Sequence, residues 1–111
     1  MAVSPGDYVV INYIAYLKDG TIFDNTIKRK KPLAFQIGKK QVVPGLEAGI
    51  MGMKPGEQRQ LFLKADPWGY GEDGVCFESK DDEEEETCLV PPGTDLVYDV
   101  TLVNTGPAPN N

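Results

Sequence analysis

The residue types that most enzymes use for chemistry are scarce in this chain. It contains no histidine, so it offers no imidazole base, no histidine-activated nucleophile and no histidine ligand for a metal. Its only two cysteines, Cys76 and Cys88, cannot build a zinc site without several carboxylates. The sequence also lacks a glycine-rich phosphate loop and the glycine pattern of dinucleotide-binding domains. These absences predict a function that uses no metal, no nucleotide, no other cofactor and no covalent intermediate.

An acidic run, Asp81–Glu86, is the strongest charge feature, and it contributes to a formal net charge of −6. A surface of this sign repels phosphate backbones, so we do not expect nucleic-acid binding. Three interpretations of the run itself stay open. It is a solvated insertion, a docking surface for a basic partner, or a weak calcium site, although it lacks the spaced oxygens and the glycine of a calcium loop.

The length and composition set further limits on the class of protein. A chain of 111 residues is long enough for one domain with one core and too short for two ordinary domains. No apolar run approaches the roughly 20 residues that a membrane span requires. No basic-then-apolar segment opens the chain, so any targeting peptide has been removed or never existed. We therefore expect a soluble single domain, and we expect it to be a monomer.

Hydrophobic alternation predicts most of the secondary structure. Tyr8 to Leu17 alternates as a long strand, and Asp19-Gly20 is a tight-turn dipeptide that leads into a returning strand. The one helical pattern starts at Pro44 and must end by Met53, because a Lys-Pro-Gly turn follows. Further strands are predicted at residues 33–37, 57–65 and 96–103. The predicted fold class is α+β, with about five antiparallel strands curled around one short helix and an apolar pocket at one end of that helix.

The domain boundaries follow from composition. A single domain is predicted over residues 1–104, with an acidic insertion at residues 72–88. Residues 105–111 are rich in Asn, Pro and Gly and are predicted to be a disordered tail.

Several short motifs follow one another along the chain. They read DGTIFD at 19–24, GKKQVVPGLE at 38–47, MKPGE at 53–57, GYG at 69–71, and VPP at 90–92 followed by LVYDV at 96–100. In this order and near this spacing, they resemble the FKBP-type peptidyl-prolyl cis/trans isomerases, a family of immunophilins. The resemblance runs from Gly6 to Val103, nearly the whole chain. It implies a five-stranded sheet wrapped on a short helix, and catalysis of rotation about Xaa-Pro bonds.

The resemblance also assigns roles to particular side chains. In its terms, the Tyr70 hydroxyl and the Val43 amide hold substrate carbonyls, and Asp24 is a polar orienting group. The catalytic positions that it implies are Tyr13, Phe23, Asp24, Tyr70 and Tyr98. The substrate-binding positions that it implies are Leu33, Val42, Val43, Leu46, Leu89 and Val90.

Two positions depart from the family pattern. Leu33 stands where the family often has Phe, and Leu46 stands where it often has Trp. Both changes reduce the aromatic area, so we expect weaker binding of substrates and of macrolides such as tacrolimus and rapamycin. In any β-rich domain these leucines are also core residues, and spacing alone favours that role. The partners that the resemblance implies are proline-containing peptides and client proteins.

The two cysteines bracket the acidic insertion. A cysteine pair just before the Pro-Pro segment is similar to the FKBPs of the plant thylakoid lumen, where it is a disulfide. The resemblance therefore implies a bond between Cys76 and Cys88 and an oxidising compartment such as that lumen. The alternative is a pair of unbonded thiols in a cytoplasmic domain.

Two functions of different classes remain in competition. The first is an isomerase that assists protein folding, and the retained aromatic and acidic positions favour it. The second is a non-catalytic binding module or assembly factor that uses the same pocket and the acidic insertion to hold a partner. Leu33 and Leu46 favour the second, and a fold alone does not decide between them.

Overall fold

The computed structural model describes residues 1–78 and 86–108 of the chain. Over these residues the protein forms seven strands and two short helices. The strands are β1 (Tyr8–Leu17), β2 (Ile22–Asn25), β3 (Leu33–Gln36), β4 (Gln58–Leu63), β5 (Val75–Glu78), β6 (Glu86–Val90) and β7 (Leu96–Gly106). The helices are α1 (Pro44–Ile50) and α2 (Ala65–Trp68).

Five of the strands form one antiparallel sheet. β7 lies between β1 and β4, while β2 and β3 pair with successive parts of β1. The helix α1 contacts β4 and β7. The predicted α+β fold, with five antiparallel strands and one main short helix, is confirmed.

The alternation seen in the sequence produces the core. In β1, the odd-numbered residues from Val9 to Leu17 are buried, and in β7 the even-numbered residues from Leu96 to Leu102 are buried. Because β1 and β7 are neighbours, these two apolar rows lie side by side on one face of the sheet. The buried residues of α1, Leu46 and Ile50, complete the same cluster.

The helix α1 begins at the predicted proline and ends before the predicted limit. Pro44 occupies the first helical turn, where its missing N–H costs nothing. The chain leaves the helix at Gly52, whose φ of +80° is favourable only for glycine. Gly52 donates its N–H to the Val3 carbonyl at 3.0 Å, and Met53 beyond it is fully buried.

The last strand is longer than the sequence pattern predicted. β7 continues past Val103 to Gly106, so the tail predicted for residues 105–111 begins inside a strand. Thr105 and Gly106 pair with Val9 and Tyr8, and the Thr105 hydroxyl donates to the Tyr8 carbonyl at 3.2 Å. Composition missed this because the partner strand supplies the hydrogen bonds. Residues 109–111 lie outside the described residues.

The base of the acidic insertion is folded. β5 and β6 form a two-stranded antiparallel hairpin in which Cys76 faces Cys88. The sequence analysis predicted no strands here, because Glu is unfavourable in them and the alternation is short. Residues 79–85, which hold most of the acidic run, lie outside the described residues.

Two further findings concern the described part of the chain. No helix within it has the length and apolar character that crossing a bilayer requires. No three of its carboxylate or thiol side chains are grouped so that they could hold a metal ion.

Candidate functional site

Three aromatic rings from three different strands meet on the buried face of the sheet. Tyr13 of β1 and Tyr98 of β7 have ring centroids 5.4 Å apart at an interplanar angle of 49°. Phe23 of β2 meets the Tyr98 ring edge-on, with centroids 6.1 Å apart. Tilted and edge-on contacts at such distances are favourable for aromatic pairs. Tyr13 and Tyr98 are buried and Phe23 is half-buried, so the cluster has an inner part and an accessible part.

A carboxylate lies beside this aromatic cluster and is held on both of its oxygens. The Tyr13 hydroxyl donates to Asp24 Oδ2 at 2.5 Å. The Arg29 guanidinium forms an ion pair with Asp24 Oδ1. Asp24 also receives the backbone N–H of Asn25 at 2.9 Å. These bonds fix the orientation of the carboxylate relative to the rings.

The same contacts set the protonation of the cluster. Partial burial raises the pKa of Asp24, but the bonds from Tyr13 and Arg29 outweigh it and hold that pKa below its usual value. Burial and the hydrogen bond to Asp24 raise the pKa of Tyr13 to about 12. Burial and the nearby Tyr70 raise the pKa of Tyr98 above its usual range. At neutral pH the site therefore contains one carboxylate and neutral phenols.

Two residues that the sequence analysis did not select position this carboxylate. Arg29 lies in the polar, basic segment between β2 and β3, to which the motif resemblance gave no role. Thr26 is fully buried; it accepts the Tyr13 N–H on its hydroxyl at 2.8 Å and donates its own N–H to the Tyr13 carbonyl at 3.0 Å. Thr26 thereby fastens the end of β2 to β1. The only sequence signal for either residue is that each follows Asp24 within five positions.

The helix side of the cluster comes from α1 and the residue before it. Val43 is buried, and its carbonyl accepts the Leu46 N–H at 3.1 Å. Within the described residues, the Val43 N–H has no hydrogen-bond partner. Leu46 is buried in the core, whereas Val42 and Leu33 are partly buried and pack against it. The structure thus gathers these four predicted residues on the core that contains the aromatic rings.

The remaining predicted residues lie on a different part of the chain, between α2 and β7. Tyr70 is 37% exposed, and it lies near enough to Tyr98 to help raise the pKa of that phenol. Val90 is buried in the core, while its neighbour Leu89 is 48% exposed. Adjacent residues of a strand point to opposite faces, so only Val90 of this pair faces the aromatic cluster.

A disulfide and a set of backbone bonds hold this second part together. Cys76 and Cys88 are bonded, which confirms the predicted pairing. Gly74 donates to the Tyr70 carbonyl at 3.0 Å, and Gly93 donates to the Gly71 carbonyl at 2.8 Å. A Cβ at residue 74 would lie 2.3 Å from the Val90 carbonyl, so only glycine permits this close approach.

The arrangement suits binding and conformational work better than bond cleavage. Among the described side chains of the site, the only ionised groups are Asp24 and Arg29, and they neutralise each other. Around them are apolar and aromatic surfaces, one unpaired backbone N–H and one half-exposed phenol. Such a site can take an apolar ring and direct donors toward flanking carbonyl groups.

Comparison with known proteins identifies the class. Residues 1–103 match the sequence profile of the FKBP-type peptidyl-prolyl cis-trans isomerases. The chain therefore belongs to this family, as the motif order predicted.

Particular relatives narrow the relationship. Peptidyl-prolyl cis-trans isomerase FPR2 of Saccharomyces cerevisiae is 38% identical over 101 residues, which cover 90% of this chain and 66% of that protein. Peptidyl-prolyl cis-trans isomerase FKBP15-1 of Arabidopsis thaliana is 32% identical over 106 residues, covering 96% of this chain and 61% of that protein. This chain thus spans about two thirds or less of the relatives' lengths.

Two solved structures share the fold. FkpA from Escherichia coli superposes with a TM-score of 0.78 at 34% identity, covering 97% of this chain and 44% of that one. AtFKBP13 superposes with a TM-score of 0.76 at 30% identity, covering 95% of this chain and 82% of that one.

Proposed function

We propose that the chain is a peptidyl-prolyl cis/trans isomerase whose aromatic cluster receives the prolyl ring of its substrate. The observation that carries the proposal is the meeting of Tyr13, Phe23 and Tyr98 beside a carboxylate that is already neutralised by Arg29. Membership of a family named for this activity supports it. The catalytic and binding roles given to individual residues below are part of the proposal.

Rotation about an Xaa-Pro bond is slow because amide resonance imposes a barrier of roughly 18–20 kcal/mol. No bond is broken, so neither a nucleophile nor a general acid is needed. A site accelerates the rotation when it binds the twisted amide more tightly than the planar one. A rate gain of about a million corresponds to roughly 8 kcal/mol of such preference.

The residues of the site supply that preference in two ways. The apolar surroundings of Tyr13, Phe23 and Tyr98 favour the twisted amide, because it has less charge separation than the planar amide and loses less on leaving water. The unpaired Val43 N–H and the Tyr70 hydroxyl bind the carbonyl groups that flank the proline. These donors hold the chain on either side while the central bond rotates.

The substrates that fit are proline-containing segments of client proteins, and the activity assists their folding. Leu33, Val42, Val43 and Leu46 form the wall nearest the helix, and Val90 with Leu89 forms the rim. Macrolides such as tacrolimus and rapamycin bind the same surface. They bind it weakly, because Leu33 and Leu46 reduce its aromatic area. The protein acts as a monomer.

The cis/trans exchange rate of short Xaa-Pro peptides tests the proposal directly. We expect exchange broadening of the peptide NMR signals on addition of the protein, and we expect rapamycin to abolish it. Equal exchange with and without a high concentration of protein contradicts the proposal. If rapamycin still shifts the signals of Tyr13 and Tyr98 in that case, the chain is a binding module that lacks the activity.

A further inference from the structure

The strand β4 is an edge strand, because within the described residues it pairs with β7 alone. Its register identifies the backbone groups on the free edge. The Leu102 N–H donates to the Glu57 carbonyl at 3.0 Å where the ladder begins. Hydrogen-bonded residues of an antiparallel ladder alternate with residues whose backbone groups face away. Gln58, Gln60 and Phe62 therefore direct their N–H and C=O groups away from β7.

A cavity of about 410 Å³ follows this free edge. One wall is formed by small residues of α1, namely Gly45, Ala48 and Gly49, and the other by residues 60–63 of β4, with Trp68 also lining the cavity. Successive residues of a strand point to opposite faces. A cavity that touches four consecutive residues must therefore lie at the edge of the strand and not on one face of it.

The free edge carries none of the features that usually block strand pairing. β4 contains no proline, and its ladder to β7 has no bulge. Its one cation, Arg59, is engaged elsewhere, since it bonds to Glu57 and to the Gly49 carbonyl. Next to the edge, Phe62 is 74% exposed, which is unusual for so large an apolar side chain.

We propose that the free edge of β4 binds an extended, apolar, proline-free segment of an unfolded polypeptide by adding it as a further strand. Three alternating donor–acceptor pairs select an extended backbone, because a helix or a folded surface has already satisfied its own groups. The cavity beside them takes the side chains of alternate residues. The segment lacks proline because every second residue must donate an N–H to β4, and proline has none.

This inference rests on the proposed function in one respect, which is the source of the bound segment. An isomerase of folding chains meets extended polypeptide with exposed apolar residues. A second copy of this chain is a poorer occupant. Each copy carries a formal net charge of −6, so association of two copies is opposed electrostatically. The edge therefore holds a non-prolyl part of the client while the aromatic cluster takes the proline.

Binding is tested by NMR with a proline-free octapeptide of alternating valine and threonine with a glutamate at each end, at about 1 mM. We expect the amide hydrogens of Gln58, Gln60 and Phe62 to exchange about tenfold more slowly with the peptide than without it. We expect the signals of Tyr13 and Tyr98 to stay unchanged, and rapamycin not to displace the peptide.

A matched pair of variants isolates the backbone contribution. Gln60→Pro removes one outward N–H without removing a ladder bond to β7, a position that an edge strand tolerates. Gln60→Ala keeps that N–H, and both variants lose the bond from the Gln60 amide to Asp99. We expect about tenfold weaker peptide binding in Gln60→Pro alone, because only this variant loses a hydrogen bond to the peptide. Should Gln60→Pro fail to fold, N-methylation of alternate residues of the peptide tests the same contacts.

Three results overturn the inference. The first is no change of the NMR signals at the edge, and the second is changes confined to the aromatic cluster. The third is edge signals that change with protein concentration in the absence of peptide, which assigns the edge to a second copy. Catalysis on a short Xaa-Pro peptide is measured in parallel, and we expect Gln60→Pro to retain it. Edge binding without catalysis in the unsubstituted protein refutes only the proposed function. Catalysis without edge binding refutes only this inference.

Discussion

The two halves of the candidate site are held in place by different means. The half formed by Tyr13, Phe23, Asp24 and Tyr98, here the sheet half, stands on three adjacent strands of the five-stranded sheet. The half formed by Tyr70, Leu89 and Val90, here the hairpin half, stands on a turn and a two-stranded hairpin closed by the disulfide. In the sheet half two residues are buried and two are partly buried, while two of the three residues of the hairpin half are exposed.

This difference implies that the sheet half contributes more to the stability of the fold, while the hairpin half is more accessible from solvent. Side chains on central strands are fixed by the packing of the whole core, so changing them alters the fold as well as the site. Side chains on a short hairpin contact fewer residues, and such hairpins are marginal alone. A covalent bond replaces the missing packing in the hairpin half. We therefore expect substitutions in the sheet half to have the larger effects.

The largest effect is expected for Tyr98→Ala. It removes the ring that touches both Tyr13 and Phe23, so we expect catalysis to fall about 100-fold and the free energy of unfolding to fall by about 3–5 kcal/mol. The cis/trans exchange rate of an Xaa-Pro peptide measures catalysis, and urea denaturation measures the free energy of unfolding. Leu102→Ala, a fully buried change further along β7, is the control and should destabilise without loss of catalysis. Full activity in folded Tyr98→Ala contradicts the assignment.

A smaller loss is expected for Asp24→Val. It leaves the Tyr13 hydroxyl and the Arg29 guanidinium without their acceptor, so we expect catalysis to fall about tenfold. Exchange rates on one peptide measure the loss at a temperature where both proteins are folded. Asp99→Val, which removes a carboxylate bonded to Gln60, is the matched control and should remain active. Similar activity in the two variants would show that the Asp24 network is structural only.

Reduction of the disulfide tests the hairpin half. A cross-link that closes a segment of 12 residues contributes up to about 3 kcal/mol by its effect on the unfolded chain. We expect reduction to loosen Tyr70 and Val90 and to lower catalysis about threefold to fivefold, while the Tyr13–Asp24 signals keep their positions. Cys76→Ser/Cys88→Ser, which reductant cannot alter further, is the control. Loss of the whole fold on reduction would contradict the separation of the two halves.

Tyr70→Phe should have a still smaller effect. The ring stays and one exposed hydroxyl is lost, so we expect catalysis to fall about threefold and stability to change by less than about 0.5 kcal/mol. Exchange rates and thermal denaturation measure these. Tyr8→Phe, a similarly exposed phenol outside the site, should change neither. A tenfold loss of catalysis in Tyr70→Phe would contradict this prediction and would show that the Tyr70 hydroxyl is a main contributor to catalysis.

Between pH 5 and pH 9 we expect no change in catalysis, because Asp24 stays ionised and Tyr13, whose pKa is about 12, stays neutral. Stability behaves differently at the extremes. The pKa of Asp24 is below its usual value, so its contribution is present above about pH 4 and is lost as the pH falls through the lowered pKa. The pKa of Tyr13 is raised, so its contribution is lost above about pH 10. Denaturation of Asp24→Asn between pH 2 and pH 5 should show a smaller acid-side decrease than the unsubstituted protein, because Asp19 and Asp95, whose pKa values are also lowered, still contribute.

Much of the fold was predictable because the core is built from regular alternation. The alternation from Tyr8 to Leu17 predicted β1 with its bounds, and the strand predicted at residues 57–65 contains β4. The hairpin β5–β6 was not predictable in this way. Its strands are only four and five residues long, too short for a clear alternation, and the cross-link between Cys76 and Cys88 joins them.

The sequence also predicted which residues gather, but not how they are held. Tyr13 and Asp24 were selected by motif resemblance, whereas their bond depends on the register of β2 against β1, which includes a bulge after Ala15. Arg29 was missed because a basic loop residue and an ion-paired one look alike in sequence. The unpaired edge of β4 depends on the order of strands in the sheet, and no local pattern encodes it.

The long ladder between β1 and β7 also determines when the aromatic cluster can form during synthesis of the chain. β1 is synthesised before β7, so its Tyr13 ring can meet Tyr98 only after β7 has left the ribosome. Contacts between distant parts of a chain form late and slowly. A nascent chain that lacks β7 therefore exposes the apolar row of β1 and has no aromatic site.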